Sequence, residues 1–260
     1  MEKIVKVLVL DNLEKAGVDV FTRERIQVDV MGPMNASKLI EIVNNYDGIV
    51  LRGSTVITKE VLKQATRLKI IGRAGSGTDN IDKNTATRKG IVVMNAPGGN
   101  TITTGEHAIA LIMALARKLP QASASMKEGK WEKKKFLGTE LTGKTLGIVG
   151  MGNIGKVVAE RALGLKMVVI SYDPYVPTEV ISKLGVEHVT LDEIYARSDF
   201  ITYHTPLTPE TRGIINAQSI TKMKKGVYLI NCARGALINE SDVLNALESG
   251  FIKGLALDVF

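Results

Sequence analysis

A single cysteine, Cys232, is the whole thiol content of the 260-residue sequence, so no intrachain disulfide can form and a reducing, cytoplasmic setting is expected. Membrane-length apolar runs are missing too. Ile109 to Ala116 is soon interrupted by Arg117 and Lys118, well short of the roughly 18 residues a span needs. No charged-then-apolar leader precedes Val5. A soluble protein is expected.

Acidic residues are outnumbered, 27 Asp and Glu against 34 Lys and Arg, for a formal charge of +7. Basicity of that size raises the question of a nucleic-acid partner, but the distribution argues against one. Apart from Lys133 to Lys135 in WEKKKF, the basic residues are dispersed, and no helix-turn-helix or RNA-binding signature accompanies them. An excess of positive charge instead suits an anionic substrate and an anionic cofactor. Hydrophobic content of 45% with 23% charged residues is that of a globular protein with a full core, and the length favours two domains.

The stretch Thr145 to Asp173, TLGIVGMGNIGKVVAERALGLKMVVISYD, sets out a dinucleotide-binding unit in order: apolar strand, glycine turn, helix, second strand, acidic residue. Gly150 permits the tight turn, Gly152 lets the backbone approach a pyrophosphate, and Gly155 allows close helix-to-strand packing. The helix that follows has an apolar face of Ile154, Val157, Val158, Ala162 and Leu165, and its first N–H groups face the phosphates. Asp173 stands where a carboxylate accepts hydrogen bonds from the adenosine ribose and repels a 2′-phosphate. NAD is therefore expected rather than NADP.

The first hundred residues alternate strand signals (Lys6 to Leu10, Gln27 to Met31, Gly48 to Leu51, Leu68 to Ile71, Ile91 to Met94) with amphipathic segments such as Ala36 to Asn44 and Lys59 to Ala65. That alternation reads as a parallel sheet covered on both faces by helices. NAPGGN, Asn95 to Asn100, breaks the pattern and places a boundary there. Thr101 to Lys118 reads as one helix, buried along Ile102, Ile109, Ile112, Met113 and Leu115 and stopped at Pro120. Trp131 and Phe136 flank the lysine cluster and either reach to a second subunit or lie in a solvated loop. Six further strands are expected, Thr145 to Val149, Met167 to Ser171, Val186 to Val189, Phe200 to His204, Val227 to Asn231 and Leu255 to Val259. They make a second doubly wound sheet.

Arg234 lies just past the carboxyl end of a buried strand, in NCARG, where ligands sit in open α/β sheets. It reads as a two-pronged clamp for a carboxylate or, more blandly, as a surface ion pair. Arg52 ends GIVLRG, and Arg73 ends LKIIGRAG before Gly75, Ser76 and Gly77, a turn whose N–H groups and neighbouring arginine suit an anion. Of three histidines, His107 packs in a helix or faces solvent and His188 sits in a connection. His204, ending a strand in YHTPLT, is either a cofactor contact or a structural histidine. Cys232 reads as core packing beside the cofactor, and no metal-ligand cluster stands out.

The segments GRAGSGTDNID, SMKEGKWEKKKFLGTELTGKTLGIVGMGNIG, HTPLTPET, KKGVYLINCARGALINE and GLALDVF closely resemble the D-isomer-specific 2-hydroxyacid dehydrogenases, a likeness running through almost the whole chain. The resemblance implies an α/β protein of two doubly wound parallel-sheet domains: a flavodoxin-like substrate domain over 1–98 and a Rossmann NAD-binding domain over 99–260. It implies that Arg234 is the catalytic arginine, holding the substrate carboxylate and polarising the oxygen at C2. Ser76, Asn153, Ile154, Asp173, His204, Thr205, Pro206, Cys232, Ala233, Arg234 and Asp258 then join Gly150, Gly152 and Gly155 as NAD contacts. Arg52, Arg73, Gly75 and Ser76 fall on substrate contacts. The implied reaction is oxidation of 3-phosphoglycerate to 3-phosphohydroxypyruvate, the entry to serine synthesis, in a homodimer or homotetramer. The alternatives are a glyoxylate or hydroxypyruvate reductase and a non-enzymatic NAD-binding scaffold. The family's glutamate and general-base histidine, and a helix returning to the substrate domain, would all fall beyond Phe260, so the chain is expected to be an incomplete portion with weak or no activity of its own.

Overall fold

The computed structural model describes residues 4–260, which divide between Asn100 and Thr101 into two compact units. In the first, five parallel strands, β1 (Lys6–Val9), β2 (Gln27–Val30), β3 (Gly48–Leu51), β4 (Ile70–Arg73) and β5 (Val92–Asn95), lie in the order β2-β1-β3-β4-β5. That is the flavodoxin-like order. Four helices connect them: α1 (Lys15–Arg23), α2 (Ala36–Ile42), α3 (Lys59–Gln64) and α4 (Lys83–Arg88). Asn35, Thr58 and Asp82 start the last three by accepting a backbone N–H three residues on.

Leu8, Ile49 and Ile71 pack under Leu39, Leu62 and Ala86 of α2, α3 and α4. The other face departs from the sequence reading. It carries only α1, whose Phe21 lines an open groove with Val7, Val50, Ile70 and Met94. Val92 and Met94 are each 54% exposed there, so helices cover one face of this sheet and a single helix flanks the other.

The second unit opens with α5 (Thr101–Arg117) and α6 (Leu119–Lys127). Its sheet holds β6 (Thr145–Val149), β7 (Val168–Tyr172), β8 (Glu187–His188), β9 (Phe200–Tyr203), β10 (Val227–Asn231) and β11 (Ile252–Leu257), in the parallel order β11-β10-β9-β6-β7-β8. This is the doubly wound dinucleotide-binding order, reversing between β6 and β9. Between the strands run α7 (Asn153–Gly164), α8 (Thr178–Ser182), α9 (Leu191–Arg197), α10 (Ala217–Thr221) and α11 (Glu240–Glu248). Tyr228 and Ile230 of β10 face α5 and α7, while Val227 and Leu229 face α9, α10 and α11. Period-two alternation thus buries both faces.

Two helical expectations need correction. The buried stripe of α5 is Gly105, Ala108, Ile112 and Ala116, whereas Ile102 and Met113 are exposed. Small residues are needed because α5 lies close on α7: a Cβ at Gly105 would sit 2.5 Å from Val157 Cγ1. Pro120 does not stop a helix. Lys118 turns left-handed with φ 52°, and Pro120 falls in the first turn of α6, where its missing N–H costs nothing.

Candidate active site

Register across the second sheet sets five residues in a line. Leu257, Asn231, Tyr203, Val149 and Tyr172 are successive cross-strand partners on β11, β10, β9, β6 and β7. The next residue on each strand, Asp258, Cys232, His204, Gly150 and Asp173, therefore crosses the carboxyl edge in one row. Four strand spacings span roughly 19 Å, with the topological switch inside the row. In open α/β sheets ligands sit outside this carboxyl edge, at the switch point.

One end of the row is built by the glycine turn. Gly150 has φ +100°, and a Cβ on it would sit 2.6 Å from the His204 carbonyl, so only glycine fits. Gly155 lies against the Gly150 carbonyl, while a Cβ at Gly152 meets nothing within 4 Å, leaving that side of the turn open. Gly152 caps α7 with no side-chain bond, so the amides of Asn153, Ile154 and Gly155 begin the helix without a capping partner. Asp173 Oδ2 accepts the Met151 N–H at 2.7 Å, and Oδ1 accepts those of Tyr175 and Val176 at 2.8 and 3.2 Å. Three of about four lone-pair directions are engaged. Two simultaneous ribose bonds therefore require one backbone contact to lengthen.

At the other end, Arg234 follows β10 in a turn fixed by Asn231, whose carboxamide bonds both the Ala233 N–H and the Arg234 carbonyl. The Arg234 guanidinium donates to the Ala233 carbonyl at 2.6 Å. Asp258 Oδ1 lies 3.4 Å from His107 Nε2, bringing a residue read as a helix-face histidine to the strand edge. Burial, reinforced by the Asp258 charge, pushes the Cys232 thiol up to about 12, which keeps it protonated and unsuited to attack. Burial lowers the His204 imidazole to about 4, so it is neutral at neutral pH, with Nε2 3.0 Å from the Thr202 hydroxyl. The Thr205 hydroxyl is buried with no hydrogen-bond partner among the described residues, and the Pro206 carbonyl accepts from Thr211. An orphaned hydroxyl, an uncapped helix start and a glycine turn with open space all fit a bound NAD.

In the first unit, Leu51 pairs with Arg73, so Arg73 closes β4 one register step before Arg52, which follows β3 on the adjacent strand. The Arg73 guanidinium folds over Gly75, where any Cβ would collide with it, and its Nη2 is 3.6 Å from the position of a Cβ at Gly53. Gly75 is therefore there for space. Its amide donates to the Arg73 carbonyl at 2.9 Å, not outward to an anion as the sequence suggested. The Ser76 hydroxyl bonds Asn100 Oδ1 at 2.6 Å, and its carbonyl accepts from Asn95.

Asn231 and His107 escaped the sequence reading as neighbours of the strand-edge row. For Asn231 there was a signal, a polar residue closing the apolar strand VYLIN. Trp131 is 80% exposed, while Phe136 is half-buried, its ring 5.8 Å from Lys135 Nζ. Among the described residues no helix is long and apolar enough to cross a membrane, and no cluster of His, Cys, Asp or Glu could hold a metal.

Residues 109–260 match the model of the D-isomer specific 2-hydroxyacid dehydrogenase, NAD binding domain. A D-3-phosphoglycerate dehydrogenase of Synechocystis is 48% identical over 257 residues, covering 99% of this chain and 46% of that protein. A glyoxylate reductase structure from Paecilomyes thermophila superposes with TM-score 0.91 at 31% identity, over 100% of this chain and 82% of its own. A D-lactate dehydrogenase of Aquifex aeolicus, complexed with NAD and lactic acid, gives 0.89 at 32%, over 98% and 77%. The chain spans about half the length of the curated relatives it matches. With its two parallel-sheet units and its glycine turn, the chain belongs to the D-isomer specific 2-hydroxyacid dehydrogenase family.

Proposed function

We propose that this chain is the cofactor- and substrate-holding part of an NAD-dependent dehydrogenase acting on 3-phosphoglycerate. The observation that carries the reading is the row Asp258, Cys232, His204, Gly150 and Asp173, with Arg234 beside its nicotinamide end. NAD, when bound, supplies the acceptor for the hydride leaving C2 of the hydroxy acid. Arg234 grips the carboxylate and polarises the C2 oxygen, using a planar, permanently charged group whose turn is pinned by Asn231. Asp258 orients the nicotinamide amide. The α7 amides and the open side of Gly152 receive the pyrophosphate, and the Thr205 hydroxyl gains a partner.

The phosphate preference rests on Arg52 and Arg73 at adjacent strand ends, and on the naming of the relatives at 46–48% identity. Self-association fits the exposed Leu119 and Met126 of α6 and the exposed Trp131 and Leu137 of the segment that follows it. In the full-length protein, NADH formation is followed with 3-phosphoglycerate, glycerate and lactate. Arg73→Ala should weaken 3-phosphoglycerate by at least tenfold more than glycerate. Equal losses on both acids would remove the phosphate role and leave a general 2-hydroxyacid dehydrogenase.

A further inference from the structure

We infer that Asp11 is a positioning residue for substrate-anion binding: through its buried carboxylate it holds the Arg52–Thr55 loop in the one shape that presents Arg52. The inference rests on the assignment of Arg52 to the substrate anion. Asp11 follows β1 and is only 7% exposed. Its Oδ2 accepts three backbone N–H groups of the neighbouring loop, Arg52 at 2.9 Å, Ser54 at 3.1 Å and Thr55 at 3.1 Å. Its Oδ1 takes the Thr55 hydroxyl at 2.5 Å. A single side chain thus gathers four donors from three residues of the four-residue stretch 52–55, on a loop more than forty residues away in sequence.

The rest of the neighbourhood reinforces the same loop. Asn80 Nδ2 donates to the Arg52 and Thr55 carbonyls at 3.0 and 2.7 Å, so the loop is gripped through its N–H groups from one side and its carbonyls from the other. The Met34 N–H donates to Thr55 Oγ1 at 3.1 Å. Asp11 and Asn12 both have left-handed backbones, φ 63° and 53°. Non-glycine residues adopt that conformation at a cost and keep it only where surrounding contacts over-determine it, a pattern concentrated at functional loops. Core packing does not require such a grip, because Arg52, Gly53 and Ser54 are exposed. What the grip fixes is the direction in which an exposed arginine leaves the strand end.

A carboxylate near an anion site looks counterproductive. Here its charge is engaged by four donors, so the role is geometric. Burial pushes the Asp11 carboxyl up, but the Thr55 hydroxyl and the Thr55, Arg52 and Ser54 amides outweigh it and hold it below the usual carboxylate range. An asparagine can keep one oxygen for the three amides and turn its NH2 toward the Thr55 hydroxyl, which can accept.

The test uses Asp11→Ala, Asp11→Asn and Arg52→Ala in the full chain with NADH saturating. Affinity for 3-phosphoglycerate is measured by calorimetry, and amide exchange of Arg52, Ser54 and Thr55 by mass spectrometry or NMR. Asp11→Ala should weaken 3-phosphoglycerate at least tenfold, approaching Arg52→Ala. It should also speed loop exchange at least tenfold, with NADH affinity changed less than twofold. Asp11→Asn should recover most of both losses, which a role through charge would not allow. If Arg52→Ala weakens the anion and Asp11→Ala does not, the inference is overturned and the assignment of Arg52 stands. If Arg52→Ala itself has no effect, the assignment falls and the inference falls with it.

Discussion

Asn231 Nδ2 donates to the carbonyl of Arg234 at 2.8 Å, while Asn231 Oδ1 accepts the Ala233 N–H at 3.0 Å. One fully buried carboxamide therefore ties both sides of the turn on which the arginine is carried, and the Asn231 carbonyl accepts the Asp258 N–H at 3.1 Å. Replacing Asn231 with Ala strands a buried donor and frees the turn, at a cost of about 1–3 kcal/mol. Urea unfolding should show a lower midpoint at unchanged slope, and carboxylate affinity should fall more than NADH affinity. An unchanged midpoint together with unchanged carboxylate affinity would count against the clamp.

Gly105 and Val157 form a second coupled pair, on α5 and α7. An alanine Cβ at 105 would sit 2.5 Å from Val157 Cγ1, and a β-branched side chain in a helix has little rotamer freedom to yield. Gly105→Ala should destabilise by roughly 1–3 kcal/mol despite its better helix propensity. In a Val157→Ala background the 2.5 Å clash is removed and only the Cβ of residue 157, 3.0 Å away, stays close, so the same substitution should cost clearly less than it does in the wild type. A double-mutant cycle reads this directly. Additive effects would mean that the helices are not in close contact there.

Much of this was legible in the sequence because it is local. The limits of β3, β6 and β10 follow from apolar runs bounded by polar or glycine residues, and the glycine turn with Asp173 is a feature of adjacent elements. β11 was displaced, starting at Ile252 rather than Leu255, because Lys253 and Gly254 interrupt the apolar pattern of an edge strand. The buried stripe of α5 was misread for the opposite reason: apolarity pointed to Ile102 and Met113, whereas close helix packing selects Gly105 and Ala108. Asp11 could not have been found this way. Its partners lie 41 to 44 residues along the chain and meet it only through the register of β1 with β3.

His204 should give stability an acid-side slope of identifiable origin. Its folded pKa is about 4 against an ordinary 6.5, the cause being burial. The unfolded chain takes up a proton near 6.5 and the folded chain resists until about 4. The contribution is thus fully present above pH 6.5 and is lost as pH falls through that window. The slope is at most about 1.4 kcal/mol per pH unit, and less here because the residue retains some exposure. Asp11, held low, adds a loss only at still lower pH. Urea midpoints of wild type and His204→Gln, measured between pH 7 and about pH 4, should diverge across this window, the variant showing the flatter line. Parallel lines would mean that the imidazole is solvated in the folded chain.

Asp173 holds backbone amides in this structure in addition to the ribose role proposed for it, and the two together predict a pattern that a lone ribose ligand would not. Its carboxylate holds the Met151, Tyr175 and Val176 amides at the glycine-turn end of the strand-edge row. A 2′-phosphate there sets charge against charge, so NADH should bind at least tenfold tighter than NADPH, a gap of about 1.4 kcal/mol or more. Asp173→Ala removes the repulsion but also releases the backbone beside the glycine turn. NADH affinity should therefore drop while NADPH affinity changes little, and the ratio narrows mainly from the NADH side. Asp173→Asn keeps an acceptor for the Met151 amide and should lose less NADH affinity than the alanine variant while admitting NADPH better than wild type. Calorimetric titrations of the three proteins with both cofactors separate these outcomes. Equal affinity of the unmodified chain for NADH and NADPH would refute the assignment of Asp173 to the ribose.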